Sequence, residues 1–359
     1  MSSAAQQRRA EPPPAPRRAI QIGKGFLAGC VASCGAVAVT NGMDVIRTRL
    51  ELQGELARGG TQLYRGAVHG LMKMVEQEGP AVLFRGLKPA FAFQIAVNGT
   101  RLGTFIPLKN WLVGHSSMDD FLTSLLAGAG AGCVGAAIGT PFQLIKTRMQ
   151  AAARAAGPSA VAGVARQPYK GLGDALASII KSEGLFGLYR GAHINMLKIA
   201  VASAVQLAVF DGLKARLLRP AVQGQQDQQQ PSGTAGSWLR AHPGAAVLLS
   251  AMAAGLAVTA VVQPVDVVTT RLWNQPVVNG VGTLYSTAWD CALKTVAAEG
   301  PMALYKGCTA HFLRAGPHTV LTLLLLDRMQ KLLGLQPPGQ QQQRRLAGGP
   351  KAGAAKATA

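Results

Sequence analysis

Charge is what this sequence has least of. Only 14% of its 359 residues are charged and 5% are aromatic, against about a quarter charged in an ordinary soluble domain, so the deficit points away from water and toward lipid. Acids are the scarcer sign, 16 against 36 Lys and Arg, for a net charge of +20. That excess does not imply nucleic acid, because aromatics are few, no soluble-looking helix carries a cationic stripe, and many cations sit in tails or in short segments between apolar runs. Cations placed this way suit anionic lipid and an anionic solute. The five cysteines, Cys30, Cys34, Cys133, Cys291 and Cys308, have neither paired nor metal-ligand spacing, and no role is assigned to them. With no nucleophile–base constellation and no metal-ligand cluster in the sequence, neither an enzyme nor a cofactor is expected.

What is present is a repeat. Residues 42–50 (GMDVIRTRL), 141–149 (PFQLIKTRM) and 264–272 (PVDVVTTRL) align without gaps, and each is followed by a second block, EGPAVLFRG (78–86), EGLFGLYRG (183–191) or EGPMALYKG (299–307). A nearly uncharged run precedes each first block (26–43, 121–145, 241–265), and a second apolar stretch follows each second block (87–112, 192–218, 308–333). Each is near the length of about 20 residues that a helix needs to cross hydrocarbon. The pattern predicts six transmembrane helices in three tandem repeats, 23–114, 119–219 and 238–334, with a short surface helix inside each repeat. Residues 1–22, rich in Arg and Pro, read as a disordered tail; the Gln-rich stretch 220–237 reads as a linker and 335–359 as a second tail. Gly25 with Gly29, Gly99 with Gly103 and Gly128 with Gly132 have the spacing that lets membrane helices approach closely.

The first block, Pro-x-acid-x-x-base-x-base, and the Glu-Gly…aromatic-base-Gly blocks resemble the mitochondrial carrier family over residues 23–334. That resemblance implies an all-α membrane protein: three helix pairs around a pseudo-threefold axis, short helices on the matrix side, a central cavity, and a monomer in the mitochondrial inner membrane. It also implies a matrix gate in which the acid of one odd helix meets the base of the next, here Asp44 with Lys146 and Asp266 with Arg47. The third pair reads Gln143 with Thr269, so acid and base are lost together, and no lone buried charge, costing about 3 to 5 kcal/mol, is left behind. A solvated helix end is the alternative reading. The first repeat has Gly42 in place of the signature proline; glycine permits a bend without imposing one. For a cytoplasmic gate at the far ends of the even helices, the resemblance offers Asp211 with Lys214 complete, Lys109 opposite Asp327, and Gln330 opposite Asp211. Solvated interfacial charge is the rival there.

Each even helix holds one cation well inside its span: Arg101, Lys198 and Arg314. Charge near the bilayer centre costs about 2.5 to 3.5 kcal/mol, so such residues face a polar cavity. Lys198 and Arg314 lie seven residues after Gly191 and Gly307, and Arg101 lies fifteen after Gly86, about 12 Å further along its helix. No acid is expected at their depth. Gln94 and Asn98 share a helix face with Arg101, and His318 lies one turn beyond Arg314. This set suits an anion with two separated acidic groups, and QIAVNGTRLG (94–103), SAVQL (203–207), RLWNQP (271–276) and RAGPHT (314–319) resemble the oxaloacetate, malonate and sulfate carriers of the family. Another small substrate, such as an amino acid or fatty anion, or a receptor derived from a carrier, remains an alternative. By the same resemblance, Arg85-Gly86, Arg190-Gly191 and Lys306-Gly307 open the even helices as cardiolipin sites, where free N–H groups favour phosphate.

Overall fold

The computed structural model describes residues 15–55, 63–115, 119–152, 169–218, 243–278 and 281–335. The expected linker 220–237 and most of the two expected tails lie outside these residues, but helix α1 begins at Ala15, inside the stretch read as the N-terminal tail. Among the described residues six long helices dominate: α1 (Ala15–Leu52), α3 (Leu87–His115), α4 (Asp120–Ala151), α6 (Ala192–Leu218), α7 (Pro243–Asn274) and α9 (Cys308–Leu332). Three shorter ones, α2 (Ala67–Glu78), α5 (Leu172–Glu183) and α8 (Ala288–Glu299), fall one in each repeat. The odd helices of the repeats, α1, α4 and α7, are long and apolar enough to cross a membrane on composition alone. The even ones, 29, 27 and 25 residues long, exceed the roughly 20 residues a span requires but carry the internal cations. Among the described residues the one departure from an all-α reading is a hairpin of two-residue strands, Val277–Val278 paired with Val281–Gly282.

Neighbour contacts run α1–α3–α4–α6–α7–α9 and close from α9 back onto α1, which makes the six helices a ring. Helix is what such segments must adopt in lipid, because only helices satisfy every backbone group internally. Of the glycines that the sequence spacing picked out, Gly99 makes a close approach, its Cβ position lying 3.3 Å from Phe26, and tighter approaches fall at other glycines. A Cβ at Gly35 would meet Leu325 at 2.8 Å, at Gly130 Leu108 at 2.6 Å and at Gly139 Phe93 at 2.8 Å, whereas Gly25, Gly29, Gly103 and Gly128 have open space beside them. Which glycine meets a neighbour is set by interhelical register, which four-residue spacing within one helix does not contain.

The core sits at the end of the ring that carries the signature blocks. There each short helix packs on the odd helix of its repeat through its own apolar cluster: Val45, Ile46, Tyr64 and Met74; Leu144, Ile145, Ile179 and Trp273; Val268, Leu272, Tyr285 and Cys291. Each short helix also ends in the glutamate of its second block, and that glutamate takes the last arginine of the signature. Arg148 lies 2.5 Å from Glu183 and Arg271 lies 2.6 Å from Glu299, while Arg49 pairs with Glu78. Arg271 is wholly buried, so this two-toothed pairing is what allows a guanidinium to stay there. The same arginines reach the next repeat: Arg49 Nε donates to Gln150 O, Arg148 Nε to Trp273 O and Arg271 Nε to Glu51 O.

Candidate substrate and gate site

The block glycines set the register of the site. Gly86, Gly191 and Gly307 have φ of 71°, 69° and 80°, a left-handed backbone that favours glycine. A Cβ there would strike the next repeat in cyclic order: Gln150 at 3.0 Å, Trp273 at 3.2 Å and Glu51 at 3.1 Å. From these contacts the even helix climbs as the odd helix descends. Seven residues beyond Gly307 is Arg314, and seven before Glu51 is Asp44; seven beyond Gly191 is Lys198, and seven before Trp273 is Asp266. Equal steps of about 10 Å therefore bring each cation level with a signature acid. Lys198 Nζ lies 3.1 Å from Asp266 Oδ1, and Arg314 Nε lies 2.9 Å from Asp44 Oδ1 without hydrogen-bond alignment. The expectation that no acid shares their depth is thus corrected, because depth had been judged along single helices.

Both acids also hold the bases anticipated for them. Lys146 Nζ lies 2.7 Å from Asp44 Oδ2, and Arg47 Nη2 bonds Asp266 Oδ2. Arg47 additionally meets Glu51 at 2.8 Å. Three acids, Asp44, Glu51 and Asp266, thus face four bases, Arg47, Lys146, Lys198 and Arg314, and the cluster keeps a surplus positive charge. At the level of the signature acids the third seam has neutral residues, Gln143 and Thr269. Gln143 and Thr269 form no bond with each other: Thr269 Oγ1 donates to Val265 O in its own helix at 2.6 Å, and Gln143 Oε1 is buried without a partner among the described residues. The register places Phe93, seven beyond Gly86, where the other two repeats have a cation. Gly42 packs on Leu83, whose Cδ2 would lie 3.1 Å from a Cβ there.

Other expected residues are spread along the helices. Asn98 donates to Ser33 at 2.8 Å and His318 Nδ1 lies 3.5 Å from Thr40, so both tie even helices to α1. Gln94 is half-buried on α3. The side chains of Arg101, Asp211 and Lys214 lie outside the described residues. At the far end Asp327 pairs at 2.7 Å with Lys331 on its own helix, not with Lys109, which donates to Ser124 at 2.9 Å; Gln330 is half-buried nearby. Among the described residues that end holds no Asp327–Lys109 bridge, while ion pairs join the helices at the signature end. The cations assigned to lipid are engaged within the chain: Arg85 with Glu78 at 2.8 Å, Arg190 with Glu183 at 3.8 Å and Lys306 with Glu299 at 2.6 Å. Each of these glutamates is shared with the last arginine of its signature block, so every such place keeps one positive charge in excess.

Sequence reading missed the set Glu51, Gln150 and Trp273, an acid, an amide and an indole at equivalent places. Glu51 accepts from Thr270 at 2.7 Å, and Gln150 donates to Asn41 at 3.2 Å. The signal was one step away, since extending the gapless alignment past its ninth residue aligns all three.

The family of mitochondrial carrier proteins matches residues 18–116, 117–221 and 241–336. Over its length the chain is similar to the mitochondrial citrate transporter E of Aspergillus niger, 38% identical over 86% of this chain and 93% of that protein. It is 36% identical to solute carrier family 25 member 35 of Mus musculus, over 85% of this chain and 97% of the relative. The mitochondrial oxaloacetate transport protein of Saccharomyces cerevisiae is 33% identical over 86% of this chain and 89% of its own length. Three family matches on three structural repeats, joined in a ring through the signature residues themselves, leave one conclusion: the chain belongs to the mitochondrial carrier family and is a multi-pass transporter of the mitochondrial inner membrane, not an enzyme.

Proposed function

We propose that this carrier moves a small anion, a dicarboxylate such as oxaloacetate or malonate, or sulfate, by alternating access, and that Lys198 and Arg314, with Arg101 above them, bind it. The observation that carries this reading is the double use of the two cations. Each lies against a gate acid, Lys198 on Asp266 and Arg314 on Asp44. An anion entering from the cytoplasmic side competes with those carboxylates for the same cations, so its binding weakens the matrix lock and opening follows from differential affinity for the open state. The surplus positive charge of the cluster favours an anion over a neutral solute. Relatives named for citrate and oxaloacetate transport support a carboxylate. Cardiolipin at the starts of α3, α6 and α9 would be held by backbone N–H groups beside Arg85, Arg190 and Lys306, each of which shares its glutamate with a second cation, and the carrier works as a monomer.

Uptake of labelled malonate and sulfate into proteoliposomes tests the assignment. Lys198→Gln or Arg314→Gln removes a charge-assisted contact worth about 1.5 to 3 kcal/mol, so apparent affinity should fall roughly tenfold to a hundredfold. Each gate acid keeps a second base, Arg47 or Lys146, so folding should survive. Better competition by ADP or a neutral amino acid than by malonate would sink the substrate class.

A further inference from the structure

We infer that Trp273 is a positioning residue for Lys198: its indole face holds the lysine ammonium at the neutral seam, so that Lys198 can leave Asp266 for an anion without losing its place. The inference rests on the reading of Lys198 as a substrate cation. Lys198 Nζ lies 5.6 Å from the centre of the Trp273 ring while also lying 3.1 Å from Asp266, and a cation over an indole face within about 6 Å is attracted by it. The ring is fixed from several sides. Its Nε1 donates to Arg190 O at 2.7 Å, the Trp273 carbonyl accepts from Arg148 at 2.7 Å, and the ring belongs to one apolar cluster with Leu144, Ile145, Ile179 and Leu188.

The chemistry of the two cations explains why this support stands at Lys198. Arg314 presents a planar fork of five donors and can serve Asp44 and an anion together, whereas a lysine is a point charge on a flexible four-carbon stem. When an anion draws Lys198 from Asp266, the free stem must be ordered again, which costs side-chain entropy. A fixed neutral face holds the ammonium without competing for the anion's charge. Threefold-equivalent Glu51 could not do so, since a carboxylate beneath Lys198 would be a second competitor. At this seam, then, the residue that replaces ionic closure with apolar packing also keeps the neighbouring cation available.

A double-mutant cycle between Trp273 and Lys198 decides the matter, read in melting temperature and in malonate and sulfate uptake by proteoliposomes. Trp273→Leu should raise the apparent KM about threefold to tenfold in the unmodified background, and by less than about twofold when Lys198→Gln is already present. Its destabilising effect should likewise be smaller beside Lys198→Gln. Trp273→Phe, which keeps a ring face and loses the bond to Arg190, should retain a KM nearer the unmodified value, and it serves if the leucine variant does not fold. A purely packing role predicts equal effects in both backgrounds by both readouts, and that result overturns the inference. Should the unmodified protein take up neither anion, the anion reading fails and the substrate role of Trp273 with it, while the melting cycle still decides the contact.

Discussion

Glu55 offers a test of how the matrix end closes between the first and third repeats. It lies beyond the end of α1, only 7% exposed, where Tyr285 donates to Oε1 at 3.0 Å and Oε2 is buried without a partner among the described residues. Burial pushes its carboxyl up to about 7 from an ordinary 4.5; Arg271 and the Tyr285 hydroxyl oppose the rise and Glu299 adds to it. Arg271 is already paired with Glu299, so it cannot fully balance a second carboxylate. A folded-state value above the unfolded one means that protonation stabilises the closed structure, fully below pH 4.5 and no longer above about 7. With about 1.36 kcal/mol per unit, the part of this effect between pH 6 and pH 8 is roughly 1.3 kcal/mol, or about 2 °C in melting temperature for a chain of this size. Melting in detergent should therefore be lower at pH 8 than at pH 6 by about that much more in the unmodified protein than in Glu55→Gln, which mimics the protonated form. Histidines common to both proteins cancel in the comparison. An identical pH response in the two proteins would refute the argument that this carboxyl titrates in the closed seam.

Two further tests address the lock and its register. Asp44→Lys should abolish malonate uptake, because it sets a third cation between Lys146 and Arg314, and adding Lys146→Asp should restore part of it; a double variant as inactive as the single would refute the pairing. Gly307→Ala should cost about 1 to 2 kcal/mol for its left-handed backbone and more for the contact of the new Cβ with Glu51 and Arg47, whereas Gly334→Ala, with φ of 68° at the end of α9 and open space beside it, should cost only the backbone part. Equal losses of melting temperature in the two would show that the close approach at Gly307 carries no energy.

Much of the fold was legible because it is repeated. Three copies of an ordered pair of blocks fix the number of repeats, the run lengths around them fix the helices, and the helical step puts Asp44 and Arg47 on one face, each toward a different neighbour. The two ion pairs followed from cyclic order, and so did the loss of the third, since Gln143 and Thr269 are visible as neutral residues. The pairing of Arg49, Arg148 and Arg271 with the block glutamates was not foreseen. Both partners stood in the repeat, but their meeting depends on how a short helix folds back beneath its own span.

Depth across the ring was decided by tertiary structure alone. Sequence places a residue along one helix; it does not say what stands level with it on another. That offset is set where Gly86, Gly191 and Gly307 touch Gln150, Trp273 and Glu51, because a backbone without a side chain can approach there. From that contact alone it follows that Lys198 and Arg314 share the gate acids, that Phe93 leaves one seam neutral, and that Trp273 lies beneath a lysine. The same reason bears on Arg85, Arg190 and Lys306: free on a linear reading, each shares with a signature arginine a glutamate that only the folded chain brings to it. The sequence by itself determined which charges the carrier has and on which helix faces they lie; packing decided which of them meet.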